Sequence, residues 1–231
     1  VTWTPTAIFT LYQRAVIQDI GAGGLQLPEI RRGVPGSPGV NNAQVIRNLE
    51  GERVGDIYGP RLEGFLDDGT TILSTENPDD FEVLGNALPT GDFGFTNQFN
   101  YKNWDLNFFF RGSLGHSLIN SYRGFYENTE STTVQNWNIV NTKYFDPKIT
   151  KAEYNSTHVE KADFVVLDNA TLGYNFNVGP GKAIGRIRTF ISVQNPFMFT
   201  NYTGVDPEVR YGDSESGNDP LAPGIERRAT Y

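Results

Sequence analysis

Few residues in this 231-residue chain could carry out chemistry, and their spacing argues against catalysis. The two histidines, His116 and His158, stand far apart with no acidic residues at ligand spacing around them, and there is no cysteine to build a thiolate site. Gly179, Gly181 and Gly185 match neither a dinucleotide fingerprint nor a phosphate loop and read as a turn. No Ser occupies a G-x-S-x-G elbow, and no His and carboxylate spacing suggests a triad, so no enzyme is expected. Asn155-Ser156-Thr157, Asn169-Ala170-Thr171 and Asn201-Tyr202-Thr203 fit the glycosylation tripeptide but read as structural. Recognition chemistry concentrates in residues 112–163, where Tyr122, Phe125, Tyr126, Trp137 and Tyr144 stand among many Asn, Ser and Thr. Aromatic faces beside amides and hydroxyls suit a sugar or peptide ligand; the alternative is packing within the loop or against a lid protein.

These residues need a scaffold, and composition says which kind. Aromatics make up 13% of the chain, with 25 Gly, 13 Pro and one Met, a vocabulary of strands and turns. The formal charge of -8 with scattered basic residues excludes a nucleic-acid partner, because phosphate binding needs clustered cations. The missing cysteine excludes a disulfide-stapled scaffold. No run approaches the roughly 18 apolar residues of a spanning helix. A membrane barrel stays open despite the negative mean hydropathy, because its strands show lipid only every second residue.

Period-two alternation is clearest from Phe93 to Arg111. Phe93, Phe95, Phe99 and Tyr101 share one face against Gly94, Thr96, Gln98 and Asn100; after Lys102-Asn103, Trp104, Leu106, Phe108 and Phe110 continue it. That predicts a tight hairpin with Tyr101 and Trp104 as part of an interfacial girdle. A second pair places Val166, Ala170, Leu172, Tyr174 and Phe176 on one face, with Asp168 interrupting it. After a turn around Gly179 to Ala183, Ile187, Thr189, Ile191 and Val193 alternate up to Asn195-Pro196. An earlier strand over residues 2–12 brings the expected number to about five. The connections alternate in length: long over 13–92, two residues, long over 112–163, short, then a tail over 196–231. Outer-membrane barrels have that asymmetry, with short turns at one rim and long extracellular loops at the other. The long segments carry turn-forming clusters such as Gly33-Val34-Pro35-Gly36, Asp67-Asp68-Gly69 and Asn77-Pro78 and read as loop. A secreted all-β glycan-binding module, with a polar face outside and an apolar face inside, fits the alternation equally well.

The segments themselves resemble a known family. GNALPTGDFGFTNQFNYKNWDLNFFFRGSLG is similar to the part of SusC/RagA-type TonB-dependent transporters that reads GNPLP, an aromatic strand, YKNFDL, a second aromatic strand and G-x-x-G. LDNATLGYNF resembles their LKNITLGYNL, and QNPFMFTNYTGVDPEV resembles QNLFTFTKYTGYDPEV. ERVGDIYGPRLEGFLDDGT is a weaker match to an upstream G-x-P-I-G-x-x-Y-G segment. The motif falls on Tyr101, Asn103, Asp105, Asn169, Thr171, Leu172, Gly173, Tyr174, Gln194, Asn195, Gly204, Asp206 and Pro207.

The resemblance implies an all-β chain: an incomplete antiparallel transmembrane β-barrel, about five strands of one with about 22. It implies nutrient import across the bacterial outer membrane, with lipid around the wall, energy through TonB and a SusD-like lipoprotein as lid. The plug and the TonB-contacting region would precede Val1, and a final strand would follow Tyr231, so 1–231 is expected to be the C-terminal part of the barrel. A siderophore or cobalamin receptor shares the architecture and differs in cargo. Relatives carry a calcium-like D-x-N-G-D-G segment before GNPLP. Here Asp67-Asp68-Gly69-Thr70 and Asn77-Pro78-Asp79-Asp80 lack alternating oxygen ligands, so no metal or cofactor is expected.

Overall fold

The computed structural model describes residues 1–13, 15–21, 29–33, 44–127, 129, 141–149, 153–179 and 184–208. Along the chain come β1 (Thr2–Leu11), the short strands β2 (Ile30–Arg32), β3 (Ile46–Asn48), β4 (Asp56–Gly59), β5 (Leu62–Phe65), β6 (Thr71–Leu73) and β7 (Glu82–Asn86), then β8 (Gly91–Tyr101) and β9 (Trp104–Leu114). β10 (Ser117–Ile119), the helical turn α1 (Ser121–Tyr126), β11 (Val159–Lys161), β12 (Phe164–Asn177) and β13 (Arg186–Thr200) follow. They form two units, one of residues 1–12, 90–114 and 163–201, the other of 13–89, 115–162 and 202–231.

The first unit is a single antiparallel sheet in the order β1-β8-β9-β12-β13, the five strands expected from the alternation. One face carries the apolar set. Trp3, Phe9, Trp104, Leu172, Phe176 and Ile191 are 44% to 74% exposed, so no second layer of this unit covers them. Their order comes from cross-strand pairing. Trp3 stacks on Phe99 (5.8 Å), Phe99 on Phe108 (5.9 Å), and Trp104 meets Tyr174 edge-on (4.7 Å). Asn97 is a polar residue inside that face, and it accepts the Trp3 indole N–H at 3.0 Å.

The opposite face is wired by polar pairs. Arg188 bonds Asp105 through Nε (3.1 Å) and Nη2 (2.6 Å), and the Asn175 amide donates to the same carboxylate (3.1 Å). This pair crosses Gly173, where a Cβ would lie 2.5 Å from Asp105 Oδ2 and 2.6 Å from Arg188 Nη2, so any side chain here would push the pair aside. Thr171 and Ser192 share a hydroxyl hydrogen bond (2.8 Å). At the hairpin, Lys102 takes φ +52°, and the Asn103 carbonyl accepts the Asn175 backbone N–H at 2.9 Å.

Proline in β1 is tolerated for a reason set by register. The Tyr12 N–H bonds Thr90 O, so the even residues of β1 form the hydrogen-bonded pairs with β8, and Pro5, opposite Asn97, turns its missing donor to the outer edge.

Two expectations are corrected here. Val166 does not share a face with Ala170, Leu172, Tyr174 and Phe176. Leu167 pairs Phe110 and Asn169 pairs the adjacent Phe109, so Asp168 is an inserted residue that flips the side-chain parity. Val166 therefore stands opposite Arg111 on the other face, and Leu167 joins the apolar set. Asp168 itself receives Arg111 Nε at 2.6 Å. β13 also does not end at Asn195-Pro196. Those two residues lie opposite the bulge, between Gln194 paired with Asn169 and Phe197 paired with Leu167, and the strand runs on to Thr200.

The second unit holds more regular structure than its turn-rich sequence suggests. β2-β3-β4-β7 form one small sheet, β5-β6 and β10-β11 form ribbons, and a core gathers Val45, Ile46, Ile57, Ala87, Ile119 and Tyr154. A second cluster packs Leu118, Ala162 and Tyr202.

Asn195 sits at φ +44°, a conformation that asparagine and glycine accept and β-branched residues resist. Asn195→Val is expected to destabilise the sheet by about 1–2 kcal/mol, and Asn195→Gly to be near neutral. The midpoint of thermal unfolding followed by circular dichroism measures both.

Candidate functional site

The site-forming part of the second unit starts at Asn120, whose side chain accepts the Arg123 N–H (3.1 Å) and caps α1. One turn later Arg123 and Glu127 meet at i,i+4 spacing, Nε to the carboxylate at 2.9 and 3.0 Å. Arg123 Nη1 also donates to Glu160 (2.7 Å) and to the Thr157 carbonyl (2.6 Å). Glu160, on β11, accepts in addition from Asn120 Nδ2 (3.1 Å), Thr203 N (3.0 Å) and Thr203 Oγ1 (2.8 Å). Residues remote in sequence are thus tied through one carboxylate.

This cluster is buried, with Arg123 2% exposed. Burial alone would lower the Arg123 pKa, but the bonds to Glu127 and Glu160 outweigh it and raise it above the ordinary range. For Glu160 burial pushes the carboxyl up, while Arg123 and Thr203 hold it below the usual value. His158 is lowered to about 4, first by burial and then by the Arg123 charge. Its Nδ1 accepts the Asn155 N–H (3.3 Å), which places the neutral-ring proton on Nε2. Asn155 in turn receives Thr157 N (2.9 Å) and Thr157 Oγ1 (2.7 Å), so this tripeptide caps a short helical turn. Burial likewise raises the Tyr154 phenol, which donates to the Tyr58 carbonyl at 3.0 Å.

Beside the cluster opens a cleft of about 190 Å³. Leu62, Phe65 and Ile149 supply apolar wall; Glu127, Asp146, Glu153, Asn155 and His158 supply acceptors and donors; Tyr144 lines it as well. Such a mixture can hold one small polar group by contact and hydrogen bonds.

Of the five aromatics singled out in the sequence, Tyr144 reaches this cleft. Its ring lies under the Arg123 guanidinium (4.0 Å) and the Lys143 ammonium (4.7 Å), so a cation already occupies the ring face that a ligand would use for stacking. Tyr122 and Tyr126 sit on α1 and pack on each other at 4.7 Å. The Phe125 side chain and Trp137 lie outside the described residues. The charged residues of the cluster were missed. Arg123 and Glu127 carried an i,i+4 signal, whereas Glu160 and Thr203 had no local one. Of the motif residues, Asn103, Asp105, Thr171 and Gly173 serve the polar face of the sheet, and Leu172 and Tyr174 its apolar face. Gln194, paired with Asn169, and Asn195 flank the bulge. Gly204, Asp206 and Pro207 belong to the second unit. There Asp206 caps the Glu208 N–H (2.8 Å) and the Pro207 carbonyl accepts His116 Nε2 (3.2 Å).

No protein-family model matches the chain. Curated proteins do. It is 28% identical over 201 residues to TonB-dependent receptor P3 of Formosa agariphila, covering 73% of this chain and 20% of that protein. It is 30% identical over 135 residues to TonB-dependent receptor SusC of Bacteroides thetaiotaomicron, covering 54% and 13%. The chain is similar to TonB-dependent receptors, SusC among them. The chain spans a fifth or less of the length of these two relatives. Its fold is similar to a solved structure of the RagAB peptide transporter, with TM-score 0.68 at 19% identity, covering 89% of this chain and 24% of that one. The five-stranded sheet accordingly matches a section of a β-barrel wall.

Two outcomes follow from the ionic cluster. Replacing Arg123 by Met leaves Glu127 and Glu160 buried without their cation, at a cost of about 3–5 kcal/mol. Proteolysis within 115–162 should accelerate in the full-length protein while the barrel's heat-induced gel shift stays in place. For His158 the folded pKa near 4 lies below the ordinary 6.5, so the unfolded state takes up the proton first. The stabilisation is full above pH 6.5 and drains away as pH falls toward 4. Protease sensitivity of this unit should rise over that window, and His158→Gln, which keeps an acceptor but does not titrate there, should flatten the rise.

Proposed function

We propose that this SusC-type chain forms part of the wall and part of the extracellular mouth of an outer-membrane importer, driven through TonB and working with a SusD-like lipoprotein lid. The carrying observation is the sheet itself: one layer, polar pairs on one side and most of the exposed aromatics on the other, as a lumen on one side and lipid on the other require. Strand direction adds to it. β1, β9 and β13 run toward one rim and β8 and β12 away from it, so residues 13–89, 115–162 and those after Asn201 all attach at the same rim. That rim is read as the cell exterior, and the rim of the Lys102-Asn103 turn as the periplasmic one.

The cargo is a nutrient of oligosaccharide or peptide class. RagAB, a peptide transporter, supports the peptide class, and SusC, a TonB-dependent receptor, supports TonB-driven uptake without naming a cargo. The cleft beside Arg123, with Tyr144 at its wall, is the candidate contact for ligand or lid. The chain's role is transport rather than catalysis.

Outer-membrane fractionation of the parent protein together with heat-modifiable migration tests this reading. Recovery in the outer-membrane fraction with a folded, faster-migrating band is the expected result, and a full-length protein found soluble in the periplasm would sink it. Pull-down of a SusD-like lipoprotein separates this importer from a siderophore or cobalamin receptor.

A further inference from the structure

The apolar face of the wall is not uniform near its short turns. Trp104, Tyr174 and Phe176 form a ridge of edge-on rings, with centroids 4.7 and 4.6 Å apart. Next to it Thr189, paired with Tyr174, is small, and the ridge falls into a trough walled by Leu172 and Ile191. The trough has a volume of about 700 Å³, within the roughly 300–1,000 Å³ of ordinary ligand pockets. On a barrel's outer surface an apolar trough of this size is filled by hydrocarbon.

What distinguishes it is charge at its mouth. Lys102 stands in the adjoining turn, its ammonium 5.4 Å from the centre of the exposed Tyr101 ring, and among the described residues no carboxylate pairs with it. Residues 101–104 (Tyr-Lys-Asn-Trp) contain no acid, and the sequence between β12 and β13, residues 178–185 (Val-Gly-Pro-Gly-Lys-Ala-Ile-Gly), adds Lys182 and again no acid. In a chain of net charge -8, both stretches of sequence are therefore positive. An ammonium at headgroup level above an aromatic trough complements an anionic headgroup carrying acyl chains.

We propose that this groove seats one anionic phospholipid of the inner leaflet, with an acyl chain along Thr189 and the phosphate at Lys102. The inference rests on reading the sheet as a membrane-spanning wall with Lys102 on the periplasmic side. A trough beside a fixed ring ridge holds a chain in one place, whereas a flat apolar face would exchange lipids freely. The Lys102 ammonium selects the charge of the headgroup.

The test is native mass spectrometry of the delipidated full-length protein in detergent, titrated with dioleoyl-phosphatidylglycerol and, in parallel, dioleoyl-phosphatidylcholine. The anionic lipid should bind about fivefold more tightly, the worth of one cation near a charged headgroup. Lys102→Gln should reduce it to the level of the zwitterionic lipid. Thr189→Trp, which fills the trough, should weaken both lipids; if that variant does not fold, judged by heat-modifiable migration, Thr189→Leu replaces it. Equal binding of the two lipids to the unaltered protein overturns the proposal, as does a folded variant of either kind that binds the anionic lipid unchanged. A protein recovered from the outer membrane without lipid preference loses this inference alone, whereas a soluble protein loses the wall reading as well.

Discussion

A sheet one layer thick has no interior, and that constraint governs the wall. Each strand residue belongs to one of two faces, and neither face is rescued by a core. In a soluble sandwich the aromatic side would be covered by a second sheet. Here Trp3, Phe9 and Ile191 are exposed, as a wall that turns this face to lipid requires. The other side satisfies its charges laterally, strand to strand, as Arg188 does with Asp105 and Arg111 with Asp168. Backbone groups obey the same constraint. In hydrocarbon an unpaired N–H or C=O costs several kcal/mol. The outer edges of β1 and β13, unpaired among the described residues, therefore call for neighbouring strands.

Strict two-facedness makes parity the quantity that matters, and parity is what a bulge changes. Below Asp168 the residues Ala170, Leu172, Tyr174 and Phe176 face out; above it Leu167 and Val165 do. One inserted residue on β12, matched by Asn195-Pro196 on β13, carries the apolar face through the break in register. It also turns a carboxylate toward Arg111, so the disruption of the ladder coincides with an ion pair that fixes it.

The same physics explains what could be read in advance. The five long strands were legible because alternation over ten or more residues has few other meanings, and the hairpin at Lys102-Asn103 because two-residue connections force antiparallel neighbours. The bulge was not legible, since counting by twos assumes that no residue is inserted. Asn195-Pro196 looked like a stop because proline removes a ladder donor, yet β13 has a free edge among the described residues and the bulge accommodates it. β3 and β6, with three residues each, are too short to show any period, so the ordered sheets within 13–89 were hidden in turn-rich sequence. The aromatics of 112–163 drew attention by residue type, but the organising group there is Glu160, whose partners Asn120, Arg123 and Thr203 no local pattern connects.

That organisation has a physical rationale in the size of the unit it serves. Its main apolar core of buried residues is small, comprising Val45, Ile46, Ile57, Ala87, Ile119 and Tyr154, and apolar packing of that extent tolerates more than one arrangement. A buried carboxylate is less tolerant. Glu160 is stable in place only when Arg123 and the Thr203 amide and hydroxyl reach it together, because each absent donor leaves a buried charge undercompensated. The cation is equally committed, as Arg123 also donates to Glu127 and the Thr157 carbonyl and lies over the Tyr144 ring. A neutral His158 beside this guanidinium avoids adding a second positive charge to a site that already has its full complement of anions. The ionic hub thus selects a single arrangement of three distant segments, and the shape of the adjoining cleft follows from that selection.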